Sequence, residues 1–346
     1  MISHLSGQRG HFLQACLWLL LFSFSGMASA APRVVVSIAP LHSLVAGVME
    51  GVAEPQLLIA ANASPHAYSL RPSEARMLSQ AELVIWVGED LETMLVQPLR
   101  SLAGRAEVLT LSQAEDIWLL PLRQGGAWEV HDHAKDDHHH GHKHHHSHRD
   151  GHRHGHHHEH HHDKGHGHPH HAEAATDPHI WLAPRNAERI VTLVAEQLAR
   201  LDPANAPRYQ DNAEQMSQQI AAVTVQLQQQ LTPLRGMPYI VFHDAYRYFE
   251  ESFGLTPVGS ITISPEQAPG ARRLAEIRQT IQQREARCVF SEPQFRPAVV
   301  KVVLEGTQAR TGELDPLGAT ISPGISHWFG LMKGLAENLS NCLTME

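Results

Sequence analysis

The chain has 346 residues, with 27 Lys and Arg against 36 Asp and Glu, and a formal charge of −9 when histidine is neutral. An acidic balance of this kind argues against a nucleic-acid partner, because binding a phosphate backbone needs basic patches. The composition departs from the ordinary in histidine, with 29 residues, 22 of them between His131 and His171.

Residues 1–30 carry Arg9 and no acidic residue, run through an apolar stretch from Ala15 to Phe24, and end in Ala28-Ser29-Ala30. This is the layout of a secretory signal peptide cleaved near Ala30. The apolar stretch is shorter than the roughly 20 residues of a membrane span, and no later one approaches that length, so the mature protein is expected to be exported and not membrane-spanning. A lipid anchor on Cys16 is excluded, since that cysteine precedes the apolar run instead of following it. Cleavage leaves a charge of −10 and the cysteines Cys288 and Cys342, an even pair in an oxidising compartment. A disulfide between them would close a long loop and constrain the unfolded chain by about 4 kcal/mol. Two buried thiols are the alternative.

The mature chain alternates apolar runs with helical patterns. A strand over 33–39 precedes a helix over 41–49 that stops at Gly51. Further strands follow at 55–60, 83–88 and 107–111, with a helix over 73–81 opened by Pro72. Beyond the tract, Ile180-Trp181-Leu182 leads to a helix opening at Pro184, with Ile190, Val191, Val194 and Leu198 on one face. A Gln-rich helix over 208–231 would reach about 36 Å at the usual rise per residue. Strands at 239–242, 258–263 and 287–291 then alternate with helices over 245–253 and 272–283. The alternation predicts an α/β protein whose two lobes have mainly parallel sheets. The N-terminal lobe spans 31–205, with 131–171 as a disordered loop, and a linking helix over 206–232 leads to a C-terminal lobe over 233–346. One long rigid helix between two lobes makes a clamshell with a cleft of fixed shape.

Neutral imidazole suits zinc, copper, nickel and iron better than calcium or magnesium, so the tract points to a late transition metal. Its densest donors are His138, His139 and His140, then His144, His145 and His146, then His156, His157 and His158, then His160, His161 and His162. The run is internal and irregular, unlike a cloned tag. His158-Glu159-His160-His161-His162 matches the H-E-x-x-H string of zinc proteases, but it has no apolar face to pack as a helix, which that chemistry needs. No phosphate-cradling G-x-x-x-x-G-K-S/T loop occurs, so any ATP hydrolysis belongs to a partner.

Five histidines lie outside the tract and the leader: His42, His66, His179, His243 and His327. His66 follows the strand 55–60, His179 lies between the tract and the next apolar run, and His243 ends the strand 239–242. Ligands of open parallel sheets bind beyond the carboxyl ends of strands, so these three could converge on an interlobe cleft. A lone histidine is more often structural, and spacing alone leaves both readings open. His42, inside a helix opening, and His327, beside Trp328, read as packed or solvated rings.

Ala63-Ser64-Pro65-His66-Ala67-Tyr68-Ser69-Leu70-Arg71-Pro72-Ser73, His179-Ile180-Trp181-Leu182-Ala183-Pro184, Phe242-His243-Asp244-Ala245-Tyr246 and Glu292-Pro293-Gln294-Phe295-Arg296-Pro297 stand in an order that resembles the ZnuA family of periplasmic zinc-binding proteins. The similarity covers nearly all of the mature chain. It implies a cluster A-I solute-binding protein with zinc held between two lobes by His66, His179 and His243, and with Cys288 and Cys342 as the family's disulfide. The chain departs at Pro65, where the family pattern has a glutamate, so water or another carboxylate must fill the fourth position. Asp315 is the candidate carboxylate, with orientation of a ligand or helix capping as its other reading. Three imidazoles with at most one carboxylate favour Zn²⁺ over Mn²⁺.

The function expected is capture of zinc in the periplasm and delivery to an inner-membrane ABC permease with a separate ATPase subunit. A periplasmic zinc chaperone is a further partner, and the protein is expected to be a monomer and not an enzyme. The rivals are a zinc buffer uncoupled from a permease and a secreted zinc hydrolase, which would need a general base beside an open metal position. The tract reads as a zinc-gathering loop. Its span of roughly 35 Å and its tether near His179 would hold ions at millimolar effective concentration beside the cleft.

Overall fold

The computed structural model describes residues 31–125, 127–128, 175–262, 268–295 and 298–345. Residues 1–30, where a signal peptide is expected, and the histidine tract lie outside the described residues. Val34–Val36 (β1), Gln56–Leu57 (β2), Leu83–Trp86 (β3) and Glu107–Thr110 (β4) form a parallel sheet in the order β2-β1-β3-β4. Tyr239–His243 (β5), Pro257–Thr262 (β6), Cys288–Ser291 (β7) and Arg310–Glu313 (β8) form a second, ordered β6-β5-β7-β8 and also parallel. Registers run Val34 to Leu83 and Leu83 to Glu107 in the first sheet, Tyr239 to Cys288 and Cys288 to Arg310 in the second.

Parallel pairing needs crossovers, and helices supply them. They are, in chain order, Ala39–Val48 (α1), Pro72–Gln80 (α2), Val96–Leu102 (α3), Pro184–Leu201 (α4), Ala206–Leu231 (α5), Arg247–Phe253 (α6), Ala271–Gln283 (α7), Ala298–Leu304 (α8) and His327–Thr344 (α9). Because helices cover both faces, β1 and β3 can be apolar at every position, and all seven of their residues are buried. The predicted stripe Ile190, Val191, Val194 and Leu198 is wholly buried on α4. The strand expected over 33–39 is shorter because α1 starts at Ala39 with Pro40 in its first turn.

Strand β5 shows what the pleat does to the core, since successive side chains point to opposite faces. Tyr239 and Val241 join a large cluster shared with both sheets, α4, α5 and α9. Ile240 and Phe242 join a smaller one with Ile261, Ile277, Val289 and Val300 under α7 and α8. Gly47 lets α1 lie close on α5, as a Cβ there would collide with the Met216 side chain.

The expected long helix is present as α5, 26 residues. Helix α9, from the end of the chain, packs back onto α1 and α5. Trp328 on it is fully buried, donates from Nε1 to Trp181 O at 2.8 Å, and gives its N–H to Ser43 Oγ on α1 at 3.0 Å. Truncating a tryptophan so placed to alanine would cost about 3–5 kcal/mol. The far end of α9 is tied to β7 by the Cys288–Cys342 disulfide, as the sequence suggested. Among the described residues no helix is long and apolar enough to cross a membrane.

Candidate metal site

His243 is the last residue of β5, so it stands at the carboxyl edge of the second sheet. His179 immediately precedes a 3₁₀ turn over Ile180–Leu182 that opens α4. His66 lies in the connection between β2 and α2, behind a buried Pro65. The structure brings these three together: one nitrogen from each lies within 4.8 Å of the others, and no other group of three metal-binding side chains occurs among the described residues. The Nε2 atoms of His179 and His243 are 3.4 Å apart. Two nitrogens each about 2.05 Å from a tetrahedral zinc would be about 3.3 Å apart, so this pair already has the spacing of two ligands. The rings border a cavity of about 10 Å³, lined also by Trp181, Glu292, Phe295 and Leu317, with room for one ion or water.

Each of the two buried histidines presents its other nitrogen to a carboxylate. Asp177 Oδ1 pairs with His179 Nδ1 at 2.8 Å, and Glu292 Oε1 with His243 Nδ1 at 2.6 Å. A ring whose Nδ1–H donates to a carboxylate keeps its Nε2 lone pair for a metal and holds its orientation. Burial, then the neighbouring rings of His179 and His243, push His66 down to about 2. Burial also puts His179 well below the ordinary imidazole value, and raises Asp177 to about 7. For His243 burial works in the same downward sense, but the touching Glu292 carboxylate outweighs it and the ring is raised. Two of the three imidazoles are therefore neutral, which is the ligating form.

Asp315 does not join the group. Its Oδ1 accepts from Gln294 Nε2 at 2.8 Å and from Leu317 N–H at 2.9 Å, while Oδ2 accepts from Ala319 N–H. The carboxylate thus braces the turn that carries Pro316 and Leu317, and it is not gathered with the three imidazoles. His42 and His327 are packing residues: His42 Nε2 meets Pro55 O at 3.0 Å, and fully buried His327 meets Leu317 O at 2.8 Å. Reasoning from sequence missed Asp177 and the role of Glu292. Asp177 had a local signal, an acidic residue two places before the histidine, whereas Glu292 is 49 residues from its partner. The tract histidines, 138–140, 144–146, 156–158 and 160–162, lie outside the described residues.

Two parallel-sheet lobes with imidazoles gathered between them define a class, the two-lobed solute-binding proteins with a metal as cargo. A family model, ZnuA, zinc-uptake complex component A periplasmic, matches residues 34–342. The chain belongs to the ZnuA family. The high-affinity zinc uptake system protein ZnuA of Brucella suis biovar 1 is 43% identical over 330 residues, 95% of this chain and 97% of that one. That of Yersinia pestis is 38% identical over 337 residues, 94% and 95% of the two chains. In fold, the chain is similar to a crystal structure of ZnuA with TM-score 0.69 at 23% identity, covering 91% of this chain and 100% of that one. The periplasmic zinc binding protein TroA from Treponema pallidum gives 0.67 at 19% identity, covering 91% and 99%. The family's cargo is zinc, and its members are the periplasmic component of a zinc-uptake complex.

Proposed function

We propose that His66, His179 and His243 hold one Zn²⁺ between the lobes, with water in the fourth position, and that the protein passes it to an inner-membrane ABC permease whose ATPase is a separate subunit. The observation that carries this is the 3.4 Å separation of the His179 and His243 Nε2 atoms, backed by a carboxylate on each Nδ1. The family match supports the import role. In this reading the leader is removed near Ala30, the lobes divide at 31–205 and 233–346 about the helix 206–232, and the tract 131–171 gathers zinc for the cleft. A hydrolytic role is disfavoured, because the two carboxylates nearest the rings face their Nδ1 atoms instead of the open metal position.

Zinc stoichiometry and competition titrations on H66A, H179A and H243A in a background lacking 131–171 test the site. The parent deletion is expected to keep one tight zinc, and each variant to bind it more weakly. Three variants with parental affinity would refute the ligand set. Zinc-limited growth of a deletion strain, complemented or not, separates an importer from a buffer: a buffer leaves permease-dependent uptake intact.

A further inference from the structure

The segments that lead into and out of the histidine tract pair as a short stem. Leu122 N–H donates to Ala175 O at 2.8 Å and Asp177 N–H to Leu120 O at 2.8 Å, around an antiparallel bridge between Pro121 and Thr176. Chain order places this stem with the first sheet, yet it is held by the helix that follows His243. Tyr248 of α6 is fully buried, and its hydroxyl accepts Leu120 N–H at 2.9 Å while donating to Asp177 O at 2.8 Å. Arg123 on the stem pairs with Asp244 and Glu250, each at 2.7 Å.

Asp177 is thereby fixed from several sides. Leu120 holds its N–H and Tyr248 its carbonyl, and its Oδ1 meets both the backbone N–H of His179, at 3.0 Å, and Nδ1 of the same ring. We infer that Tyr248 is a positioning residue for the metal, acting through Asp177 on the orientation of His179. The inference rests on His179 being a ligand, as proposed above. Removing the hydroxyl leaves the part-buried Leu120 N–H and the buried Asp177 O without their partner, and such groups are re-satisfied by movement of the backbone that carries them. The stem shifts, the Asp177 carboxylate shifts with it, and the His179 ring turns away from the spacing that suits a tetrahedral ion. An element following the second sheet's histidine therefore sets the aim of the first lobe's histidine, and relative movement of the lobes is felt at His179.

The test uses the full mature chain loaded with a single equivalent of metal. Zinc transfer to an excess of chelator gives the release rate, and the visible d–d spectrum of one equivalent of Co²⁺ reports ligand geometry. Y248F is expected to release zinc about tenfold faster or more, the range seen when a residue behind a ligand is lost, and to alter the Co²⁺ bands. D177N should act similarly, and Y248F/D177N no more than about twofold beyond the larger single effect, as for residues in one chain of contacts. A Y248F that lowers the thermal midpoint of the apoprotein while keeping the release rate and Co²⁺ spectrum would show a merely structural role and overturn the inference. Additive effects of Y248F and D177N would overturn it too. H179A separates the two levels: if it releases zinc fast while Y248F does not, the inference alone fails, and if it keeps slow release, the ligand reading fails and the inference with it.

Discussion

The two buried histidines and the half-buried one reach the same cavity by different means. His179 and His243 each give Nδ1 to a buried carboxylate, and both stand at the ends of regular elements. His66 is carried by a connection without regular structure, its backbone N–H meets Ser64 Oγ at 3.3 Å, and its ring nitrogens have no hydrogen bond among the described residues. The connection is steadied further on, where Glu74 Oε2 accepts Arg71 N–H and Oε1 accepts from Tyr68. Two arms of the proposed site are thus braced by carboxylates, and the third has no such brace among the described residues.

The largest effect should come from removing a ligand. H179A and H243A are expected to weaken zinc binding by more than about a hundredfold, since a tetrahedral ion left with two protein ligands is poorly held. H66A should be less damaging if the contrast is real, and chelator competition on all three would show equal losses if it is not. Acid is the second lever. Zinc competes with protons, and below neutral pH the apo site holds one on His243, whose ring is raised, and one on Asp177, raised to about 7, while His66, at about 2, and His179 stay neutral. Log affinity should therefore fall by about two units per pH unit below pH 6; a slope of three, as for three free imidazoles, would erase the distinction.

Bracing carboxylates come third. E292Q and D177N are expected to cost ten- to a hundredfold in zinc affinity, because the Nδ1–H then meets a neutral acceptor. Calorimetry showing less than a twofold change for both would mean the bracing is idle. Least of all, S64A should change affinity by less than about fivefold, as one backbone contact on a connection is worth about 1 kcal/mol. A larger loss would place Ser64 among the supports and give His66 a brace of its own.

Much of this was legible in the chain. Apolar runs ending in polar residues place His243 at a strand end, and the unbroken Gln-rich pattern predicts α5 to within two residues at its start. Local chemistry stops there. Glu292 meets His243 because β5 and β7 are neighbours in the sheet, a pairing that no spacing encodes. Asp315 looks like a donor in sequence, and only its contacts with Gln294 and the 317–319 turn show its oxygens already engaged. Helix α9, which buries Trp328, Leu331, Leu335 and Leu339, was not among the elements expected from the sequence, and its packing partner α1 lies nearly 300 residues earlier.

That return of α9 has a consequence for biosynthesis. A chain emerges amino end first, and domains often fold as they appear. Here the side of α1 that meets Trp328 is covered only once the helix His327–Thr344 is available, so the first half cannot complete its packing by itself. A chain truncated before His327 should consequently behave as a sticky, incompletely packed intermediate, and the cell must keep the leading half from aggregating until its own tail arrives.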